Sequence, residues 1–162
     1  MWISSFLVGA EARPTQTFQA FLDGLASVPP NASPATGVRS VVLNDAQTRI
    51  TVDLSWSGLT APATAAHIHG PAAPGTNAPV LSPFTGVPAA TSGAIPEQVF
   101  SITPTQVAQL EAGQYYFNIH TSNFPGGEIR GQIVLPEPAT IGALSLCVGA
   151  LLLRRRERSL RR

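Results

Sequence analysis

The chain has 162 residues, a formal net charge of +1 and a single cysteine, Cys147, which allows one ordinary domain with a real core and excludes an intramolecular disulfide. Six of the ten arginines lie within residues 154–162. The residues before Pro136, which we call the body, contain four arginines and seven acidic residues and therefore have a net charge of −3. With no basic patch in that body, we expect no nucleic-acid partner.

The first twelve residues, MWISSFLVGAEA, hold a short apolar run followed by Ala10-Glu11-Ala12. The small-x-small ending is typical of a signal-peptidase site, although the usual basic region before the apolar run is missing. The segment is either a buried first strand or the back half of a secretory signal whose start lies upstream of Met1. We favour the second interpretation and treat residues 1–12 as a signal-peptide remnant.

The body alternates apolar and polar residues in short segments that are separated by glycine and proline turns. Residues 15–22 place Phe18, Ala20 and Leu22 on one face, and residues 49–56 place Ile50, Val52, Leu54 and Trp56 on one face. Period-two alternation indicates half-buried strands, and further strands are predicted around residues 37–45, 64–70, 114–121 and 127–135.

One short helix is predicted over residues 104–112. Thr103 is its expected N-cap, Pro104 occupies the first helical position, Gln106 completes a capping box, and Gly113 follows the end. Short strands with a single helix predict an all-β fold, and we expect an antiparallel β-sandwich of the immunoglobulin or superoxide-dismutase kind.

The C-terminal region is built differently from the body. Residues 139–153 form an uncharged, mostly apolar run that precedes Arg154, Arg155 and Arg156. The run is apolar on every face, which disfavours a core helix with a basic end. As a helix it would span about 22 Å, short of a bilayer core of about 30 Å, yet snorkelling arginines cover part of the difference. We therefore predict a transmembrane helix here, with the arginines as a cytoplasmic stop.

Pro136, Glu137 and Pro138 stand immediately before that run. This tripeptide, the apolar stretch at 139–153 and the arginine-rich end at 154–162 resemble the PEP-CTERM sorting signal of Gram-negative bacteria. The resemblance covers residues 136–162 and implies secretion across the inner membrane, recognition by an exosortase and removal of the tail. The protein would be a transient single-pass membrane precursor that matures to the cell envelope or the extracellular space.

A second resemblance covers residues 13–135. The segments AHIHGPA at 66–72, GQYYFNIHT at 113–121 and FPGGEIRGQ at 124–132 are similar to the CHRD domain, the module first described in chordin. The resemblance implies a β-sandwich of extracellular or surface proteins with no assigned catalytic activity. We therefore expect a structural or interaction role rather than an enzyme, with an exopolysaccharide or another envelope protein as partner.

All three histidines lie in these motifs. His67 and His69 are two residues apart on a strand, so their side chains project to the same face and their Cα atoms lie about 6 to 7 Å apart. His120 can join them as a third ligand if its strand pairs nearby. One interpretation is a three-histidine copper or zinc site, with weak redox activity as an extension. The alternative is a polar cluster that donates hydrogen bonds to backbone carbonyls of the proline-rich loop after Gly70, or to Glu128 and Asp53; it needs no cofactor, and we favour it.

Two further groups of residues have both a functional and a structural interpretation. Glu128 and Arg130, two apart on one strand face, are either an exposed ion pair or part of a charged recognition surface. The aromatic residues are either a stacking surface for carbohydrate or, as we expect, core packing; they are Trp56, Tyr115 and Tyr116.

Overall fold

The computed structural model describes residues 13–136, which form eight strands and one short helix. In chain order these are β1 (Gln16–Asp23), β2 (Thr36–Leu43), β3 (Arg49–Ser57), β4 (Ala63–His69), β5 (Val80–Pro83), β6 (Gly93–Ser101), α1 (Pro104–Glu111), β7 (Tyr116–Thr121) and β8 (Ile129–Gln132).

All eight strands belong to one sheet, in the order β5-β4-β7-β8-β1-β2-β3-β6, and every neighbouring pair is antiparallel. The segment directly after edge strand β5 contacts the other edge strand, β6. Gln98 on β6 donates from Nε2 to the carbonyl of Thr85 at 2.7 Å and accepts from the Thr85 N–H at 3.2 Å. Beside this contact, the rings of Phe84 and Phe100 meet edge to face, 5.5 Å apart. The sheet is therefore barrel-like and nearly closed.

The predicted two-sheet sandwich is wrong, because a single sheet curls round one core. Alternation along a strand reports which face is buried, and that pattern is the same whether the strands form two sheets or one. The difference arises from long-range pairing: β8 joins β1 at Asp23 and Arg130, and Val134 bridges Gln19. These contacts link the first and last segments of the domain and make the sheet continuous.

The transmembrane helix predicted at residues 139–153 and the signal remnant at residues 1–12 lie outside the described residues. Within residues 13–136, no helix has the length and apolar character needed to cross a membrane.

The core occupies the concave side of the sheet. The predicted inward residues of β1 and β3 are buried, each at most 6% exposed: Phe18, Ala20, Leu22, Ile50, Val52, Leu54 and Trp56. Helix α1 packs Val107 and Leu110 against this core, and the predicted capping box is present, with Thr103 Oγ1 accepting from the Gln106 N–H at 3.3 Å. The alternation therefore places the polar members of β4, β7 and β8 on the opposite, convex side.

Candidate metal centre and the polar convex face

Three adjacent strands, β4, β7 and β8, carry a set of polar side chains on one face. The register aligns His67 with Asn118 and Arg130, and His69 with Tyr116 and Gln132. His120 lies one pair further along, opposite Ala65. The residues between them point into the core and are fully buried: Ala66, Ile68, Phe117, Ile119 and Ile129. Period-two alternation thus brings the CHRD-like motifs together on one surface.

The three histidines converge at the centre of this face. One ring nitrogen from each of His67, His69 and His120 lies within 4.8 Å of the other two. The closest pair is His67 Nδ1 and His120 Nε2, which are 3.0 Å apart. Two nitrogens bound tetrahedrally to one ion lie about 3.4 Å apart, given metal–nitrogen bonds of about 2.0–2.1 Å. The closest pair lies near this value, whereas the bound of 4.8 Å exceeds it, so the rings would have to rotate to bind one ion.

Backbone carbonyls orient two of the rings. The Nδ1 of His69 lies 2.9 Å from the Ala78 carbonyl, and the Nδ1 of His120 lies 2.9 Å from the Pro125 carbonyl. A carbonyl can only accept, so each Nδ1 carries the proton and each Nε2 keeps a lone pair. Metal-binding histidines in proteins typically make this kind of outer hydrogen bond.

These contacts also bear on the polar-cluster interpretation. The bond from His69 to Ala78 agrees with it, but the bond from His120 goes to Pro125, outside the loop after Gly70. None of the histidine rings bonds to Glu128 or Asp53. The Nε2 atom of His69 is buried and has no hydrogen-bond partner among the described residues. A buried nitrogen lone pair without a donor is costly, so the polar cluster leaves unsatisfied the atom that a metal ion would use.

The surroundings favour the neutral forms of His67 and His69. Burial, followed by repulsion from His120 and His69, lowers the pKa of His67 from 6.5 to about 4. Burial also lowers the pKa of His69, although its bond to Ala78 opposes this effect. The neutral imidazole is the form that a metal ion binds.

Tyr116 connects the histidines to a buried arginine. Its ring stacks on His69 at a centroid distance of 5.0 Å and an angle of 7°, and the Arg130 guanidinium carbon lies 3.5 Å from its ring centroid. Its hydroxyl accepts from the Ala78 N–H at 3.0 Å. Tyr116 therefore holds the ring of His69 in place by stacking and the loop at residues 70–79 by a hydrogen bond.

Glu128 and Arg130 do not form the expected exposed ion pair or charged surface. Glu128 is 0% and Arg130 is 2% exposed, and no ion pair joins them. The loops that cover the convex face bury both side chains, and strand periodicity alone could not show this cover. The sequence signal available was only the density of proline and glycine in those loops.

The Glu128 carboxylate organises the loops instead. It accepts from Ser33 Oγ at 2.6 Å, from the Thr60 N–H at 2.7 Å and from Thr121 Oγ1 at 2.7 Å. Burial raises the pKa of Glu128, but these hydrogen bonds outweigh it, so that the pKa is lowered overall. Glu128 therefore links three segments of the chain by hydrogen bonds, a structural role that the sequence analysis did not predict.

Trp56 and Tyr115 belong to the hydrophobic core, as expected, whereas Tyr116 is buried on the convex face against His69 and Arg130. Trp56 is 4%, Tyr115 0% and Tyr116 1% exposed. None of the three presents a ring face to solvent, which removes them as a carbohydrate-stacking surface.

The sorting residues lie at or beyond the end of the described chain. Pro136 is its last, exposed residue. Glu137, Pro138 and the stop residues Arg154, Arg155 and Arg156 lie outside the described residues.

Together these features define a small, all-antiparallel β domain whose convex face carries a buried polar network around three histidines. The CHRD domain family model matches residues 18–133, more than half of the chain. The protein is therefore a member of the CHRD domain family. No curated protein and no solved structure gives a significant match.

Proposed function

We propose that this CHRD domain binds one copper or zinc ion through His67, His69 and His120. The observation that supports this most directly is the convergence of three ring nitrogens, one from each histidine, within 4.8 Å. In addition, His69 Nε2 is buried and has no hydrogen-bond partner within residues 13–136. Imidazole nitrogens suit both ions, and three protein ligands leave an open position.

Binding of the ion needs one proton shift between the nitrogens of His67. His120 keeps its Nδ1 proton on the Pro125 carbonyl, so its Nε2 accepts the proton that His67 Nδ1 carries. Moving that proton to Nε2 of His67 frees Nδ1 for the metal. His67 and His120 are both partly exposed, so an ion and its solvent ligand have access to the cluster.

The test is metal stoichiometry and affinity of the purified full-length protein after EDTA treatment. Wild type should take up one zinc or copper ion per chain, and His69→Ala and His120→Ala should each weaken binding by about 100-fold or more. Thr64→Ala, an exposed site on the same strand, is the matched control and should bind like wild type. A wild type without a stoichiometric site would refute the metal proposal.

We further propose that the domain acts in the cell envelope or extracellular matrix by binding rather than catalysis. The support is the Pro136-Glu137-Pro138 tripeptide, which directly follows the domain and precedes an apolar run and an arginine cluster. An exosortase would read this signal at the membrane, and the mature partner would be an exopolysaccharide or an envelope protein.

The sorting proposal has a separate test in a Gram-negative host that carries an exosortase. Replacing Pro136, Glu137 and Pro138 with alanine should abolish the size change on maturation and retain the precursor in the membrane fraction. The control is the double alanine variant at Pro96 and Glu97, an exposed Pro-Glu pair on β6. If the PEP variant matured like wild type, the sorting signal would be excluded and the metal proposal would stand unaffected.

A further inference from the structure

A pocket lies on the outer, convex face of the sheet at β8, two strands from β4, which carries His67 and His69. It is a pocket of about 350 Å³ between the loop after β1 and the 70–79 loop, with β8 as its floor. Its walls are largely apolar, formed by Leu25, Val28, Pro30 and Pro74, whereas Arg130 and Gln132 contribute polar groups.

Arg130 is buried in the floor of this pocket and has no carboxylate partner among the described residues. Its guanidinium donates to the Thr76 carbonyl at 2.9 Å and to the Asn77 Oδ1 at 3.3 Å, and both acceptors are neutral. A guanidinium has five donors, so these two bonds leave part of its capacity unused. No carboxylate within residues 13–136 forms an ion pair with it.

Two comparisons show how unusual this arrangement is. The other buried arginine of the sheet, Arg39, has the carboxylate of Asp53 at 3.7 Å. Asp23 lies opposite Arg130 across β1 and β8, but its Oδ1 accepts from the Ala26 N–H at 2.8 Å. Asp23, the acidic residue paired with Arg130 across the two strands, therefore bonds within the turn after β1.

A buried cation without a counter-charge is destabilising, and neutral acceptors and an aromatic face offset only part of this cost. The cost is consistent with the lowered pKa of Arg130, for which burial is the main cause and Tyr116 acts in the opposite direction. Arginine nevertheless stays protonated near neutral pH. An anion in the pocket would supply the missing charge.

We propose that this pocket binds a small organic monocarboxylate, with its carboxylate on Arg130 and its apolar body against the proline-rich walls. A single guanidinium matches one negative charge, whereas a phosphate dianion would bring a second charge that no other cation on the pocket lining neutralises. The volume of about 350 Å³ lies at the small end of the range for ligand pockets, about 300–1,000 Å³. Planar bidentate recognition of carboxylate is also a strength of arginine over lysine.

The test uses calorimetric titration of the full-length, metal-free protein with benzoate in low-chloride buffer. Wild type should show saturable binding, and the neutral isostere benzamide and inorganic phosphate should bind at least about tenfold more weakly. Arg130→Met should abolish benzoate binding. Because that variant also loses the hydrogen bonds to Thr76 and Asn77, Leu25→Asp provides an independent probe at the pocket rim, where Leu25 is 76% exposed.

Leu25→Asp should weaken benzoate binding by about fivefold through repulsion across the pocket mouth. Val99→Asp is the matched control, because Val99 is 57% exposed on β6 and lines no part of the pocket; it should bind like wild type. Saturable benzoate binding that Leu25→Asp weakens and Val99→Asp leaves unchanged supports the proposal. Absence of binding in folded wild type, or equal binding of benzamide or phosphate, overturns it.

Discussion

The Nδ1 atom of His67 lies 3.0 Å from the Nε2 atom of His120, although the two residues are 53 positions apart in the chain. Their strands, β4 and β7, are neighbours in the sheet, and the register places His120 opposite Ala65, two residues before His67. This diagonal contact is what turns a His-x-His strand motif into a three-histidine cluster. After burial, repulsion from His120 is the next cause of the lowered pKa of His67.

Acid should destabilise the metal-free protein between pH 6.5 and 4.5 because of His67. Its pKa is about 4 in the folded chain and 6.5 as the ordinary value, so in this range the unfolded chain binds the extra proton. Stability therefore falls as the pH is lowered. Urea unfolding of EDTA-treated protein from pH 7 to 4.5 measures the slope. His67→Gln should flatten the slope, and an unchanged slope in that variant would assign the acid sensitivity elsewhere.

Glu128→Gln should lower the free energy of unfolding by about 2–4 kcal/mol, because three charge-assisted hydrogen bonds weaken and an amide N–H₂ group faces donors. The control is Glu97→Gln on an exposed position of β6, which should change stability by less than about 0.5 kcal/mol. Denaturant melts of the two variants at pH 7 give the comparison. Equal, small effects would show that the carboxylate does not organise the loops.

The same carboxylate predicts a second acid transition. The pKa of Glu128 is lowered in the folded chain, so its stabilisation is complete above the ordinary value of 4.5 and is lost as the pH falls through the folded value. Glu128→Gln should therefore remove part of the stability loss below pH 4.5 while leaving the His67 range unchanged. A wild-type slope below pH 4.5 in this variant would contradict the assignment.

Gly127→Ala should destabilise the domain by more than about 2 kcal/mol. An added Cβ would overlap the side-chain amide of Asn118, and the backbone φ of +121° is strained for any side chain. Gly126→Ala is a matched control one residue away, since its Cβ would meet nothing within 4 Å. Thermal unfolding of both variants should separate them clearly, and similar melting temperatures would contradict this close approach of Gly127 to Asn118.

Thr103→Ala should cost about 1 kcal/mol by removing the acceptor at the start of α1. Thr103 Oγ1 accepts from the Gln106 N–H, and Gln106 Oε1 accepts in return from the Thr103 N–H at 2.9 Å. Thr105→Ala, an exposed position inside the helix, should be neutral or slightly stabilising because alanine has the higher helix propensity. Denaturant midpoints measure both, and equal loss in the two variants would argue against the capping box.

Several features followed from the sequence because they depend on neighbours along the chain. The inward faces of β1 and β3 are fixed by alternation, and the cap at Thr103 is fixed by residues three positions apart. The shared face of His67 and His69 follows from the same period of two. The CHRD-like segments indicated the family before any contact was known.

What the tertiary structure decided depends on pairing between distant segments. The chain forms one nearly closed sheet and not the predicted sandwich. The sheet is closed by contacts such as Gln98 with Thr85 and Asp23 with Arg130, and such long-range contacts produce no periodic pattern in the sequence. The burial of Glu128 and Arg130 likewise depends on loops folding over the sheet. Local periodicity assigns a side chain to a face of its strand, whereas only the folded chain determines what covers that face.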